Sequence, residues 1–282
     1  MNRKNLLLID FNNLLYRAVF ANYELSFKGI FTGGLYGFLY MLATQINAYK
    51  IDRVVVCMDT KPYLRTKHYP AYKQDRPKPE ADEEKATRLA IARKQIENFL
   101  DMFSFSIARA KGSEADDFIG AYCRTMEDRY GLFFIMSNDS DFYQLLGGKG
   151  KAFLITTKGL YGCRNFEKEF PNLTPEDWPR VVALKGSHNG VPGIKGVGDK
   201  ISARLVSDGV TNEDIKKKYN HSDHQIKLRT KLATFPFPPL GQVILPRAKR
   251  IEYSLLDLEE MCETYGIQAR KDFHKALLRI SK

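Results

Sequence analysis

Cysteine is scarce in this chain. Its 282 residues include four, Cys57, Cys123, Cys163 and Cys262, and no two stand in a CxxC pair. Neither a disulfide framework nor a cysteine zinc site is indicated, and a reducing, cytoplasmic setting is expected. Long apolar runs are missing too: no stretch reaches the roughly 18 residues that a membrane span needs. The amino terminus, Met-Asn-Arg-Lys, turns directly into a strand pattern and lacks the apolar length of a signal peptide. No membrane partner is expected.

Charge is what the chain has in excess. Lys and Arg total 44 against 33 Asp and Glu, a formal net charge of +11 with a pI near 9.3. Such a surplus fits a polyanionic partner, because Lys and Arg displace counterions from phosphates; the bland alternative is solubility alone. With 44% hydrophobic residues the chain can build one large domain, or a main domain and a smaller one.

Against this basic background the acids are oddly placed. Asn5–Asp10 is a continuously apolar run ending on an acid, the pattern of a strand buried on both faces. Asp10 is therefore expected at a strand's carboxyl end, where open α/β sheets place ligands, although it also reads as a cap for the helix that follows. Arg17 lies two helical turns further on. Phe31–Leu35 reads as a turn and 36–49 as an apolar helix. Arg53–Asp59 then repeats the acid-tipped strand. From Lys61 to Lys94, ten cations, among them Arg65, Lys73, Arg76, Arg88 and Arg93, alternate with Tyr63, His68, Tyr69 and Tyr72. That mixture suits a nucleic-acid strand, with cations for phosphates and rings for bases; a solvated loop is the alternative.

A helix over 86–102 and a period-two strand over 103–108 are expected next. Glu114, Asp116 and Asp117 fall on the first turn of a helix over 115–127. Its free N–H groups and dipole offset part of their repulsion. The strand 132–136 leads into Asp139 and Asp141, and 152–156 reads as a further strand. Seven carboxylates from four segments thus converge on one sheet edge. Capping accounts for one or two of them, not for strands that repeatedly end in acids. Oxygen-only donors fit a hard cation, Mg²⁺ or Mn²⁺, which can stabilise the charge that develops on a phosphodiester. The residues alone point to a metal-dependent phosphodiesterase acting on DNA or RNA.

Six motifs in order give the chain a specific likeness. They are Ile9-Asp10 with Arg17, Met58-Asp59, Tyr69–Arg76, Glu114-Ala-Asp-Asp117, Ser137–Asp141 with Gln144-Leu145, and Val191–Gly198. Over about residues 5 to 206 the chain resembles the phage and bacterial 5′→3′ exonuclease and flap endonuclease family, which also forms the amino-terminal domain of bacterial DNA polymerase I. The resemblance implies an α/β fold: a PIN-like parallel-sheet core with a helical arch, then a C-terminal helix–three-turn–helix DNA-binding region. It implies a nuclease core over 1–170 with the arch at about 61–95, and a helical DNA-binding part over 171–282 with its hairpin at 186–206. Asp10, Asp59, Glu114, Asp116, Asp117, Asp139 and Asp141 match metal-binding acids, and Lys73 and Arg76 match catalytic cations of the arch. Arg17, Tyr72, Gly193, Lys195, Gly196, Gly198 and Lys200 match DNA-contacting positions, Tyr72 with packing as its alternative. The implied cofactor is Mg²⁺ or Mn²⁺, with K⁺ at the hairpin. The implied partner is DNA with 5′ ends, flaps or branched junctions. A stand-alone monomer in a bacterial or phage-infected cell is expected. An RNA-cleaving PIN enzyme shares the acid-tipped sheet but generally lacks the arch and the glycine hairpin.

One departure bears on mechanism. The family pattern Gly-Asp-x-x-Asp-Asn-Ile-Pro-Gly is met here by Lys185-Gly-Ser-His-Asn-Gly-Val-Pro-Gly193, one residue short. Depending on register its aspartate positions hold Gly186 or Ser187 and Asn189, and His188 reads as a solvated loop residue. Asp139 and Asp141 are left to hold a second ion without that help. A DNA-structure-binding protein with weak or no nuclease activity is the alternative this opens.

Overall fold

The computed structural model describes residues 3–74, 82–147, 151–187, 191–237, 244–268 and 271–282. Its centre is a sheet of six strands: β1 (Lys4–Asp10), β4 (Arg53–Cys57), β5 (Ser106–Ala108), β6 (Tyr130–Met136), β7 (Ala152–Thr156) and β8 (Gly159–Tyr161). A separate hairpin joins β2 (Ser26–Phe27) to β3 (Ile30–Phe31). The sheet order is β5-β4-β1-β6-β7-β8, parallel except for β8, which runs antiparallel to β7. The expected mostly parallel α/β core is observed.

The strand sequences follow from burial on both faces. Leu7 and Ile9 point into one core with Val54, Val56 and Met136, while Leu6 and Leu8 point into the other with Val55, Cys57 and Ile135. Each such side chain contributes about 1.5–3 kcal/mol by leaving water. An alternating strand would leave one of these faces wet.

Helices α1 (Phe11–Ala21), α2 (Gly33–Ala48) and α3 (Glu83–Met102) cover the first face. The chain's last two helices, α10 (Leu255–Tyr265) and α11 (Lys271–Ile280), pack back onto that core. The second face is covered by α4 (Ala115–Thr125), Phe166 of α5 (Cys163–Glu169) and Trp178 of α6 (Trp178–Lys185). Leu184 then joins a small satellite core with α7 (Asp199–Ser207), α8 (Asn212–Tyr219) and α9 (Asp223–Ala233).

Three local expectations shift. The Gly33-Gly34 pair lies inside α2 rather than in a turn. A Cβ on Gly34 would come 2.3 Å from the Cβ of Ala92, so glycine here permits the close approach of α2 and α3. The strand expected over 103–108 is only Ser106–Ala108, because Phe103 caps α3 and Ser104 turns through a φ of +51°. Finally, among the described residues of the 61–95 segment, Leu64–Lys67 form a short 3-10 turn and the longer helix is the start of α3, which is buried along Leu89, Ala92 and Gln95. Two of its cations serve packing. Arg88 pairs with Glu84 at 2.6 Å and lies 3.9 Å over the ring of Tyr23, and Arg93 donates to Asn12 at 2.7 Å. Among the described residues no helix is long and apolar enough to cross a membrane.

Candidate active site

The carboxyl ends of β1, β4 and β6 lie side by side, so the residues that follow them meet at one mouth. Asp10 ends β1 and caps α1: its Oδ1 accepts from Asn13 N at 3.2 Å and its Oδ2 from Ser137 Oγ at 3.0 Å. Asp59 is anchored twice. Asn12 Nδ2 donates to its Oδ2 at 3.0 Å, and Ala115 N, at the start of α4, donates to its Oδ1 at 2.7 Å. Asp139 accepts from Asp141 N at 2.9 Å and donates its own N–H to Ser137 Oγ at 3.2 Å. Ser137 therefore ties Asp10 to the turn that carries Asp139 and Asp141.

Electrostatics divides the seven acids into two groups. Asp10, Asp116 and Asp141 are raised above the ordinary carboxylate range, first by desolvation and then by neighbouring carboxylates. Asp10 is pushed up to about 7, chiefly by burial and by Asp59. Asp141 is pushed up to about 8 by burial and Asp139, against relief from Lys185, Arg65 and Lys73. Asp116, half-buried, feels Asp10, Asp139 and Asp59 together. These five acids repel one another.

The other two are already neutralised. Arg65, 2% exposed, donates from Nη1 to Glu114 at 2.7 Å and grips Asp117 with both terminal nitrogens at 2.8 Å. Lys73 Nζ reaches the other oxygen of Glu114, where the Tyr72 hydroxyl also donates at 3.3 Å. Burial raises Glu114, but Arg65 and Lys73 outweigh it and hold the carboxyl below its usual value. At Asp117 burial wins and the carboxyl is raised, even though Arg65 lowers it. Burial also opposes the charge on Arg65, yet Asp117 and Glu114 together hold it well above its ordinary value.

Other expected residues are placed as follows. Tyr72, expected to face a DNA strand, is 4% exposed and packs with Val191 and Leu232, which is its packing alternative. Lys73 sits in the left-handed region, at a φ of 59°, with its ammonium 4.6 Å over the ring of Tyr63. Arg17 Nη1 is buried and has no hydrogen-bond partner among the described residues. Arg76 lies outside the described residues, as do His188 and Asn189. In the hairpin, Ile194 N donates to Leu184 O at 2.7 Å, and a Cβ on Gly193 would meet Lys185 O at 2.0 Å. Gly196 needs its positive φ of 83°, and Lys195, Gly196, Gly198 and Lys200 are all exposed on one loop and the start of α7.

The sequence reading missed Arg65, Ser137 and Lys185. Arg65 was one cation among ten in its segment, and no local pattern marked it as the buried one. Ser137 stood inside a quoted motif without a role. Lys185 pairs with Asp199 at 2.7 Å and also acts on Asp141 from the hairpin side.

Among the described residues, no three Asp, Glu, His or Cys side chains close on a single point that could hold an ion. The donor set is nevertheless oxygen-only and rich in uncompensated charge, which by its chemistry fits a hard divalent cation.

Removing Arg65 leaves two buried carboxylates without their shared cation. Arg65→Ala is expected to lower the unfolding free energy by about 3–5 kcal/mol. Urea denaturation checks it; a loss below about 1 kcal/mol would mean that the pair is not buried as described.

Comparison with known proteins gives the same direction. Residues 5–171 match the family model described as 5′-3′ exonuclease, N-terminal resolvase-like domain. A 5′-3′ exonuclease of Halalkalibacterium halodurans is 31% identical over 243 residues, covering 80% of this chain and 77% of that protein. DNA polymerase I of Bacillus subtilis is 30% identical over 256 residues, covering 82% of this chain; the match spans only 28% of the polymerase's length. In fold, the chain is similar to a T5 5′-exonuclease with zinc bound, at a TM-score of 0.65 and 18% identity, covering 99% of this chain and all of that one. Flap endonuclease-1 from Methanococcus jannaschii has the fold too, at a TM-score of 0.56 and 15% identity, with 98% and 93% covered. With the model match running through more than half of its length and across every strand that ends at the mouth, the chain belongs to the 5′-3′ exonuclease family.

Proposed function

We propose that this chain is a structure-specific 5′-nuclease that hydrolyses DNA phosphodiesters at 5′ ends and 5′-flap junctions with Mg²⁺ or Mn²⁺. The observation that carries the reading is the set of five mutually repelling carboxylates, Asp10, Asp59, Asp116, Asp139 and Asp141, beside the ammonium of Lys73. Those five residues would hold the metal ions. When bound, such an ion supplies positive charge at the scissile phosphate and acidifies the attacking water.

The chain's own residues do the rest. Lys73, whose ammonium pairs with Glu114 and acts on Asp116 and Asp141, would present it to the phosphate and to the charge that grows there, and Arg76 is assigned the same task. Arg17, whose Nη1 has no partner among the described residues, would offer a further phosphate contact near Asp10. Gly193, Lys195, Gly196, Gly198 and Lys200 present backbone and ammonium donors to the duplex downstream, where K⁺ would bind. Glu114 and Asp117 act through Arg65, fixing the base of the segment that carries Lys73. Near Asp141, where the second pair of aspartates is absent, the cation at hand is Lys185, so a second metal ion is held more weakly than the first. A cytoplasmic monomer is the form in which we expect the chain to act. The naming of separate relatives as 5′-3′ exonucleases favours cutting over binding alone.

The direct test uses an end-labelled 5′-flap duplex with Mg²⁺ or Mn²⁺. The chain should cut near the junction, and Lys73→Ala should slow turnover by about 10²–10³-fold while DNA affinity changes little. No cutting with either ion, or an equal loss of cutting and affinity in the variant, would sink the assignment.

A second outcome concerns pH. Asp10 and Asp141 are raised to about 7 and about 8, so between roughly pH 4 and those values the folded chain holds protons that the unfolded chain has released. Stability from these groups is present at low pH and lost as pH rises. In chelator, the melting temperature should fall between about pH 5 and 8, and Mn²⁺ should restore it most at pH 8. A melting temperature that rises over that window in chelator would contradict the crowding of these acids.

A further inference from the structure

The sheet has a second charged pole. Lys4 opens β1, Arg53 opens β4 and Tyr130 opens β6, so all three lie at the amino edge of the sheet. The seven residues of β1 run from Lys4 to Asp10, six steps or about 20 Å at strand spacing. At this far edge a cavity of about 920 Å³ is lined by Lys4, Arg53, Arg129, Arg247, Lys249 and Arg250 and, among the described residues, by no carboxylate.

These cations converge on ordered backbone. The segment carrying Arg247, Lys249 and Arg250 is pinned where the Tyr122 hydroxyl donates to Pro246 O. Lys249 N donates to Ser106 Oγ at 2.8 Å, and Ile251 N to Ile280 O at 3.4 Å. Arg53 is 6% exposed and spends one donor on Asp52 O. The nearby acid, Asp52, is engaged on both oxygens, by Arg279 at 2.9 Å and by Asn5 N at 2.9 Å. Desolvation, with Arg53 and Arg250 behind it, lowers Lys4 below its ordinary value. A surface built only for solubility would interleave the chain's 33 acids here. A helix carboxyl end does favour nearby cations, but by only about half a charge.

We propose that this cavity is a polyphosphate-binding site, taking closely spaced phosphates from a nucleic-acid backbone or from a free phosphate chain. Four segments contribute cations, and the distance from the mouth lets the site be filled while the mouth is occupied. The proposal stands apart from the nuclease reading.

The test measures binding by the full chain in chelator, so that no cutting intervenes. Inorganic tripolyphosphate is titrated calorimetrically, and a duplex with both ends closed by hairpin loops is titrated by fluorescence anisotropy. The variant Arg247→Ala/Lys249→Ala/Arg250→Ala is set against Lys216→Ala/Lys217→Ala/Lys218→Ala, which removes equal charge from exposed positions of α8. The first should weaken at least one ligand about tenfold or more relative to the second. A loss for the duplex, with a shallower dependence of affinity on salt, assigns a nucleic-acid backbone. A loss for tripolyphosphate alone assigns a free phosphate chain. Equal affinity of the two variants for both ligands overturns the site. If the first variant does not fold, Lys4→Ala/Arg129→Ala, on other elements, carries the same comparison against Lys216→Ala/Lys217→Ala.

Discussion

The buried guanidinium of Arg65 is the constraint on which the mouth depends. It draws together segments far apart in sequence: Glu114 and Asp117 at the head of α4, and Leu232 O, which accepts from its Nε at 2.9 Å. Asp117 in turn accepts from Phe237 N at 2.7 Å, and the ring of Phe237 lies 4.8 Å from the guanidinium carbon. A lysine would not serve, since it lacks the planar fork that engages two carboxylates and a carbonyl at once. Because Arg65 and Lys73 share Glu114, the position of the Lys73 ammonium is inherited from this buried pair.

The same contact explains why seven acids can coexist in so small a region. Two are matched by protein cations in the interior, and five face the mouth with their mutual repulsion only partly relieved. The chain thus satisfies its structural acids internally and keeps its unsatisfied ones where a ligand can reach them. The asymmetry continues at the hairpin, where Lys185 approaches Asp141 from the side on which two aspartates are missing.

Much of the fold was legible because it rests on periodicity. A run such as Leu6–Ile9 can be satisfied only by a strand buried on both faces, and an acid at the end of such a run has to lie at the sheet's edge. Local sequence could not say which cation of a basic segment turns inward. Arg65 was indistinguishable from Lys61 or Lys67 until α4 and Leu232 were seen around it. Tyr72 was open to two readings for the same reason, and the surroundings supplied by Val191 and Leu232, more than a hundred residues away, favour packing. Gly33 and Gly34 were read as a turn because glycine usually marks one; inside α2 they answer instead to the nearness of Asn22 and Ala92.

Parallel topology accounts for both poles. Each strand of the sheet except the antiparallel β8 points its carboxyl end toward the mouth, so α1 and α4 begin there and their amino ends offer roughly half a positive charge each. That is far less than five carboxylates require. At the opposite edge α2, α3 and α4 end, and the three partial negative charges they offer also fall short of six cations. Backbone dipoles thus set the sign that each edge tolerates, while the side chains exceed what the dipoles can balance. At the mouth part of that remainder is met by protons, since burial and neighbouring carboxylates raise Asp10 and Asp141 toward neutrality.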